Sequence, residues 1–340
     1  MKISELGEFG LIDLLAKMVG HAQDKQLTSE LQLIIGIGDD AAAWHGDTTI
    51  QLATVDSLIQ DVHFSLAVVS WNDLGWKALA ANLSDIAAMG GVPRYALVSL
   101  ALPGHIEVED IIALYQGMIE LAQPSGVTIV GGDTTSAPHV AITVTLFASS
   151  SGQDKHILTR SAAKPGEKVA VTGELGAAAA GWEILTQKPR FAPEFTASLR
   201  SAFLRPHPRI NEGQLLVEQG VKTAIDTSDG LISDLSHICK ASHVSARIEA
   251  DRVPIQSVLK TNFGGRALEL ALSGGEDYEL LFTASAETIT KVKMAASCPV
   301  TIIGDIIADK PGKITLVDSQ GSPFNLHQAG WEHFGPRRQN

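Results

Sequence analysis

Four apolar runs in this chain each run out into aspartate, and that recurrence limits the folds open to it. LIIGIG leads to Asp39-Asp40, IQLATV to Asp56, VTIVGG to Asp133, and KTAI to Asp226, with Asp229 three residues on in DTSDG. A branched, apolar run closed by Gly or Asp reads as a strand and its turn. Helical stretches lie between these runs. Residues 71–89 open after Ser70, a favoured N-cap, and stop at Gly90-Gly91; a second helix is predicted over 107–123, ending near Pro124. Strands alternating with helices specify a mixed α/β architecture, in which ligands commonly sit in the loops at strand ends.

The same reading places strands at 31–37, 49–55, 94–102, 127–130 and 139–148 in the first half. SSSGQDK (149–155) is the best linker candidate. After it come strand-like EKVAVTG (167–173), helical segments at 176–187, 209–219 and 230–241, and strands near 222–226, 244–249, 278–283 and 299–303. With 340 residues the chain divides into two domains, 1–150 and 151–340. Aromatics are only 5% of the residues, and Gly numbers 31, so closely packed elements and tight turns are expected. Phe9, Ile12, Leu15 and Val19 recur at helical spacing near the start, where Glu5, Glu8 and Asp13 break any secretory-leader pattern.

The net charge of −12, with no Lys/Arg run, excludes a nucleic-acid binder. Cys239 and Cys298 lack metal-ligand spacing and suit a reducing cytosol, and no apolar run spans a bilayer; a cytoplasmic protein without a membrane partner is expected. Acidity can serve solubility alone. Singly, each strand-end Asp is also an ordinary turn residue, because its carboxylate hydrogen-bonds nearby backbone. Gathered in one place the carboxylates would repel one another unless a cation shared the site, and Mg²⁺ takes such oxygen ligands together with substrate phosphates. GIGDD (36–40) lacks the third glycine of a dinucleotide fingerprint, and no lysine-bearing phosphate loop occurs. Any ATP must therefore be held through metal-bridged phosphates.

Other residues read two ways. Asp85 lies three positions from Asn82 on helix 71–89 and is either a solvated helix residue or a further acid of the site. Lys77 reads as a surface residue. Glu276 and Asp277 follow two glycines in SGGEDYELLF, which either allow close approach to a ligand or form a plain turn. His63 reads as structural or solvated, Arg160 as a surface residue able to reach a phosphate, and Trp331 as packed.

GEFGLI, GIGDDAA, KALAANLSDIAAMGG, IVGGDTT, LTRSAAKPGE, DTSDGLISDL, SGGEDYELLF and GWEHF occur in this order over nearly the whole chain. Their order and wording resemble the thiamine-monophosphate kinases, within the superfamily of aminoimidazole ribonucleotide synthase. The resemblance implies a two-domain subunit whose N-terminal sheet forms a β-barrel in a homodimer. It implies ATP as co-substrate, several Mg²⁺ ions and thiamine monophosphate as acceptor, with Asp85, Asp133 and Asp229 at the catalytic centre. By motif, Asp40, Asp56, Asp85, Asp133, Asp226 and Asp229 match metal ligands, with Thr54 and Val55 beside Asp56. Gly132, Asp133, Arg160, Ser228 and Tyr115 match nucleotide contacts; His63, Glu276 and Trp331 match contacts to thiamine monophosphate. Val55 stands where the family commonly carries a hydroxyl. The rivals are another ATP-dependent enzyme of the superfamily and a non-catalytic metal- or nucleotide-binding subunit; the first cysteine, Cys239, falls too late for a selenophosphate synthetase.

Overall fold

The computed structural model describes residues 2–6, 8–23, 33–35, 43–44, 46, 49–151, 156–187 and 193–324. Two compact units emerge, Met1–Ile86 with Gly91–Lys155, and Ala87–Gly90 with His156–Asn340. No helix among the described residues is long and apolar enough to cross a membrane.

The first unit begins with α1 (Ile3–Leu6), α2 (Glu8–Gln23), β1 (Leu33–Ile35) and β2 (Ala43–Trp44). Of the residues at helical spacing, Leu15 and Val19 are buried on α2, as is Leu11, while the side chains of Phe9 and Ile12 lie outside the described ones. There follow β3 (Gln51–Ile59), α3 (Trp71–Ala88, whose last two residues belong to the other unit), β4 (Gly91–Leu102), α4 (Val108–Ala122), β5 (Thr128–Ser136) and β6 (Ala141–Ser150). The last four strands form one sheet in the order β3-β6-β4-β5, antiparallel except for the parallel pair β4/β5. This sheet is open: within one chain it does not close into a barrel. Ser149 and Ser150, expected in a linker, are the last residues of β6 and pair with Val92 and Gly91.

Ser70 caps α3 as expected, its Oγ accepting the Asp73 N–H at 3.1 Å and donating to the Asp73 carboxylate at 2.7 Å. Leu74, Leu79, Leu83 and Ile86 of α3 and Ile111, Leu114 and Met118 of α4 are buried in the core. The two helices meet backbone to backbone. A Cβ on Gly75 would lie 1.8 Å from the Leu114 carbonyl oxygen, and one on Gly117 would lie 1.8 Å from that of Asn72. Lys77 is fully buried on this helix rather than at the surface.

The second unit contains β7 (Lys168–Thr172), α5 (Ala177–Gln187), α6 (Pro193–Leu204), α7 (Ile210–Glu218), β8 (Thr223–Asp226), α8 (Leu231–Ala241) and β9 (Ser245–Glu249). It continues with α9 (Ser257–Phe263), α10 (Arg266–Ser273), β10 (Leu280–Ala284), α11 (Ala286–Ala295), β11 (Val300–Ile307), β12 (Ile314–Val317) and β13 (Pro323–Phe324). Its seven strands form a mixed sheet in the order β13-β12-β9-β11-β7-β10-β8. Alternation along β7 sends Val169 and Val171 into one apolar cluster, with Leu235 and Ile238 of α8, and Ala170 into another, with Leu216 of α7 and Val292 of α11. The sheet is therefore covered on both faces, each fully buried Leu or Ile contributing about 1.5–3 kcal/mol. Helices α6, α9, α10 and α11 were not expected from the sequence pattern.

Candidate functional site

The sequence places Asp56 and Asp133 in turns after strands; the structure places both inside strands. All nine residues of β3 pair with β6, from Gln51↔Ser149 to Ile59↔Ala141, so Asp56 is mid-strand. Asp133 pairs with Ser99 because β5 does not end at its glycines. It bulges between Ile129 and Gly131, then resumes pairing with β4. Gly132 is needed for that close approach: a Cβ there would lie 1.8 Å from the Val98 carbonyl oxygen. Asp133 is exposed and Asp56 is only half-buried, and strand pairing continues through both.

Period-two alternation puts Thr54 and Asp56 on one face of β3 and Val55 on the other, where it is 59% exposed. The Thr54 hydroxyl donates to the Asp85 carboxylate at 2.5 Å. Asp85 is therefore half-buried and held by the sheet, not a freely solvated helix residue. A hydroxyl at position 55 would point away from this pair, so valine there leaves the Thr54–Asp85 side unaltered. Asn82, one turn before Asp85, is fully buried and donates to the Ala78 carbonyl at 3.0 Å. Tyr115 is buried on α4, and burial pushes its hydroxyl above the usual tyrosine range.

His63 lies in the turn after β3. Asp61, at φ 61°, supplies the left-handed residue, and the Asp61 N–H donates to the Phe64 carbonyl at 2.8 Å. The His63 Nδ1 accepts the Ile59 N–H at 3.0 Å. In a neutral ring the proton is then on Nε2, which becomes a donor.

In the second unit the strand-end reading holds. Asp226 is the buried last residue of β8, and Ser228 and Asp229 stand in the turn before α8. Asp234, on the first turn of α8, reaches back to accept the Gly230 N–H at 3.0 Å and the Asp229 N–H at 3.2 Å. Burial pushes its carboxyl up to about 8, helped by the charges of Asp226 and Asp229 and opposed by those two N–H donors. Arg160 is exposed, and its carbonyl accepts the Ser242 hydroxyl at 2.8 Å.

SGGEDYEL is bound to DTSDG along its backbone. The Glu276 N–H donates to the Ser228 carbonyl at 2.9 Å, the Tyr278 N–H to that of Thr227 at 3.0 Å, and the Thr227 N–H to that of Glu279 at 2.8 Å. Glu279, 8% exposed, forms a bidentate pair with Arg209, at 2.7 Å from Nε and 2.5 Å from the terminal nitrogen. The Thr172 hydroxyl adds a bond at 2.6 Å. Gly173, at φ 58°, makes room, since a Cβ there would lie 1.9 Å from the Glu279 carboxylate. Sequence reasoning missed Asp234, Glu279 and Arg209, and it named Asp277 without its backbone partners Gly176 and Ala178. Asp234, four residues after Gly230 at a helix start, carried a capping signal; the partners of the other three are 70 or more residues away in sequence.

Among the described residues no three His, Cys, Asp or Glu side chains converge so as to hold a metal unaided. Mg²⁺ does not require that: one or two carboxylates plus substrate phosphates and water complete its shell. The donors present are carboxylates and a hydroxyl, the oxygen ligands that a hard divalent ion takes, so the residue types fit such an ion. Asp40 and Trp331 lie outside the described residues.

The AIR synthase related proteins match this chain at both domains, the N-terminal one over residues 38–151 and the C-terminal one over 164–317. Thiamine-monophosphate kinase of Bacillus subtilis (strain 168) is 40% identical over 308 residues, 88% of this chain and 93% of the relative. Thiamine-monophosphate kinase of Escherichia coli (strain K12) is 38% identical over 334 residues, 96% and 98%. Among solved structures, AaThiL complexed with AMPPCP and TMP superposes with a TM-score of 0.76 at 31% identity, over 98% of this chain and 99% of that one. Matched at both domains and across most of its length, the chain belongs to the thiamine-monophosphate kinase family of AIR synthase related proteins.

Proposed function

We propose that this chain is an enzyme that phosphorylates thiamine monophosphate to thiamine diphosphate with ATP. The observation that carries this reading is its near end-to-end match to AaThiL, which is complexed with AMPPCP, an analogue of ATP, and TMP. A non-catalytic subunit or another superfamily activity fits that match less well.

The acceptor is itself a phosphate, so its attacking oxygen is already anionic and needs no strong base; the work is positioning and charge neutralisation. Asp40, Asp56, Asp85 and Asp133 in the first unit, with Thr54 and Val55 adjoining, and Asp226 and Asp229 in the second would serve as ligands to several Mg²⁺ ions. When bound, such ions would offset the repulsion between two phosphate-bearing substrates. Thr54 holds the Asp85 carboxylate in a fixed orientation. Gly132, Asp133, Arg160, Ser228 and Tyr115 supply contacts to the nucleotide. The Nε2–H of His63, the anionic Glu276 and the Trp331 ring serve the second substrate, whose thiazolium is cationic and whose pyrimidine is flat. Purified chain should consume ATP when thiamine monophosphate and Mg²⁺ are both added and not when either is left out. Equal ATP consumption without thiamine monophosphate would overturn the assignment.

The same reading includes a homodimer whose first-unit sheets meet in a shared β-barrel. Strand β3 supports it: it is a sheet edge that exposes Ile50 beside it and Val55 and Ile59 within it. Sedimentation at micromolar concentration should give twice the 36.0 kDa chain mass. A monomer at that concentration would count against the barrel.

A further inference from the structure

The turn between α10 and β10 carries Glu276 and is built under backbone strain. Glu276 (φ 68°) and Tyr278 (φ 51°) both occupy the left-handed region, with one residue between them. Side-chain-bearing residues are sterically disfavoured there and persist only where surrounding contacts over-determine them. One set of contacts is the backbone pairing to Thr227 and Ser228. Gly275 permits it, since a Cβ there would lie 2.2 Å from the Ser228 carbonyl oxygen.

The second set comes from Asp277, which sits between the two strained residues. One carboxylate oxygen accepts the Gly176 N–H at 2.7 Å and the other accepts the Ala178 N–H at 3.0 Å. Both donors stand at the start of α5, an 11-residue helix whose first N–H groups have no partner within the helix. Gly176 is at φ 87°, and a Cβ on it would lie 2.8 Å from the Ala271 nitrogen on α10, so the backbone of α5 meets the helix that leads into the turn. With both oxygens engaged by backbone amides, this carboxylate faces the scaffold.

We infer that Asp277 is a positioning residue: it braces the strained turn on the N-terminus of α5 and thereby sets the place of Glu276. The assignment rests on Glu276 contacting thiamine monophosphate, as proposed above. Asp277 touches no reacting atom, and its effect on the reaction passes through its neighbour.

A double-mutant cycle on the full chain tests this. Asp277→Asn keeps one acceptor oxygen but turns an amide toward the other donor; Asp277→Ala removes both acceptors. Either should raise KM for thiamine monophosphate by about 10-fold with KM for ATP within about twofold of wild type. Combined with Glu276→Ala, the further effect of each Asp277 change should fall below about twofold, because the residue it positions is already gone. The same fold-change in both backgrounds, or an unchanged KM in the single variants, would overturn the inference. So would a Glu276→Ala variant with wild-type KM. Should Asp277→Ala fail to fold, Asp277→Asn carries the measurement; failure of both makes Asp277 a folding residue and ends the assignment. The underlying functional reading fails separately, through a wild-type chain that does not use thiamine monophosphate.

Discussion

Asp85→Asn should lower kcat by on the order of 10³-fold at saturating Mg²⁺ and both substrates, with little loss of stability. Asn fills the same space, and its carbonyl can still accept the hydroxyl of Thr54 that now binds Asp85 at 2.5 Å. The expected loss is one negative charge beside the phosphates, not a fold. Asp229→Asn should behave alike, since Asp229 stands in the turn before α8 with its backbone N–H on Asp234. Steady-state kinetics with a magnesium titration, alongside thermal unfolding, separates the outcomes. Turnover within about threefold of wild type would make that Asp a structural partner of its neighbours and no metal ligand.

The largest expected stability effect lies at the Arg209–Glu279 pair. Burial works against the guanidinium charge, but the hydrogen bonds and charge of Glu279 more than offset it and hold Arg209 protonated. Arg209→Met leaves the Glu279 carboxylate, 8% exposed, with the Thr172 hydroxyl as its one side-chain partner among the described residues. Breaking one side of such a pair costs about 3–5 kcal/mol. Urea unfolding without ligands should show a loss of that size. A loss under about 1 kcal/mol would mean that water replaces the guanidinium.

Elements with strong local signals were legible in the sequence. Helix α3 was announced by Ser70 and by Gly90, which adopts φ 68° and returns its N–H to the Ala87 carbonyl. Strand β8 and the turn holding Asp229 could be read because KTAI is short, apolar and followed by turn residues. Helices α9 and α10, seven and eight residues long, carry no such marks and depend on packing against the sheet. Asp56 and Asp133 were given to turns because Asp and Gly favour turns, and long-range pairing with β6 and β4 overrode that preference. Lys77 was misplaced because burial of a charged residue depends on neighbours that sequence spacing does not reveal. At the candidate site, Asp226 and Asp229 stand at the strand end and turn that the local pattern indicates, whereas Asp56 and Asp133 do not. The brace by Asp277 could not, since Gly176 is 101 residues away and nothing local connects them.

The crossing of α3 and α4 at Gly75 and Gly117 has a mechanical consequence. Where two helices are separated by side chains, their spacing follows side-chain volume and shifts as the core is repacked. Here main chain meets main chain, so the spacing has a hard lower stop with no compressible layer in it. Helix α3, which carries Asp85 three turns beyond the crossing, is thereby registered like a beam on a fixed bearing. Exchanges among Leu, Ile and Met elsewhere in the first unit can be absorbed by strands and loops while this bearing stays put. The hydrophobic interior is thus free to drift in composition without dragging the Asp85 carboxylate away from Thr54, and the geometry of that pair is insulated from the history of the core around it.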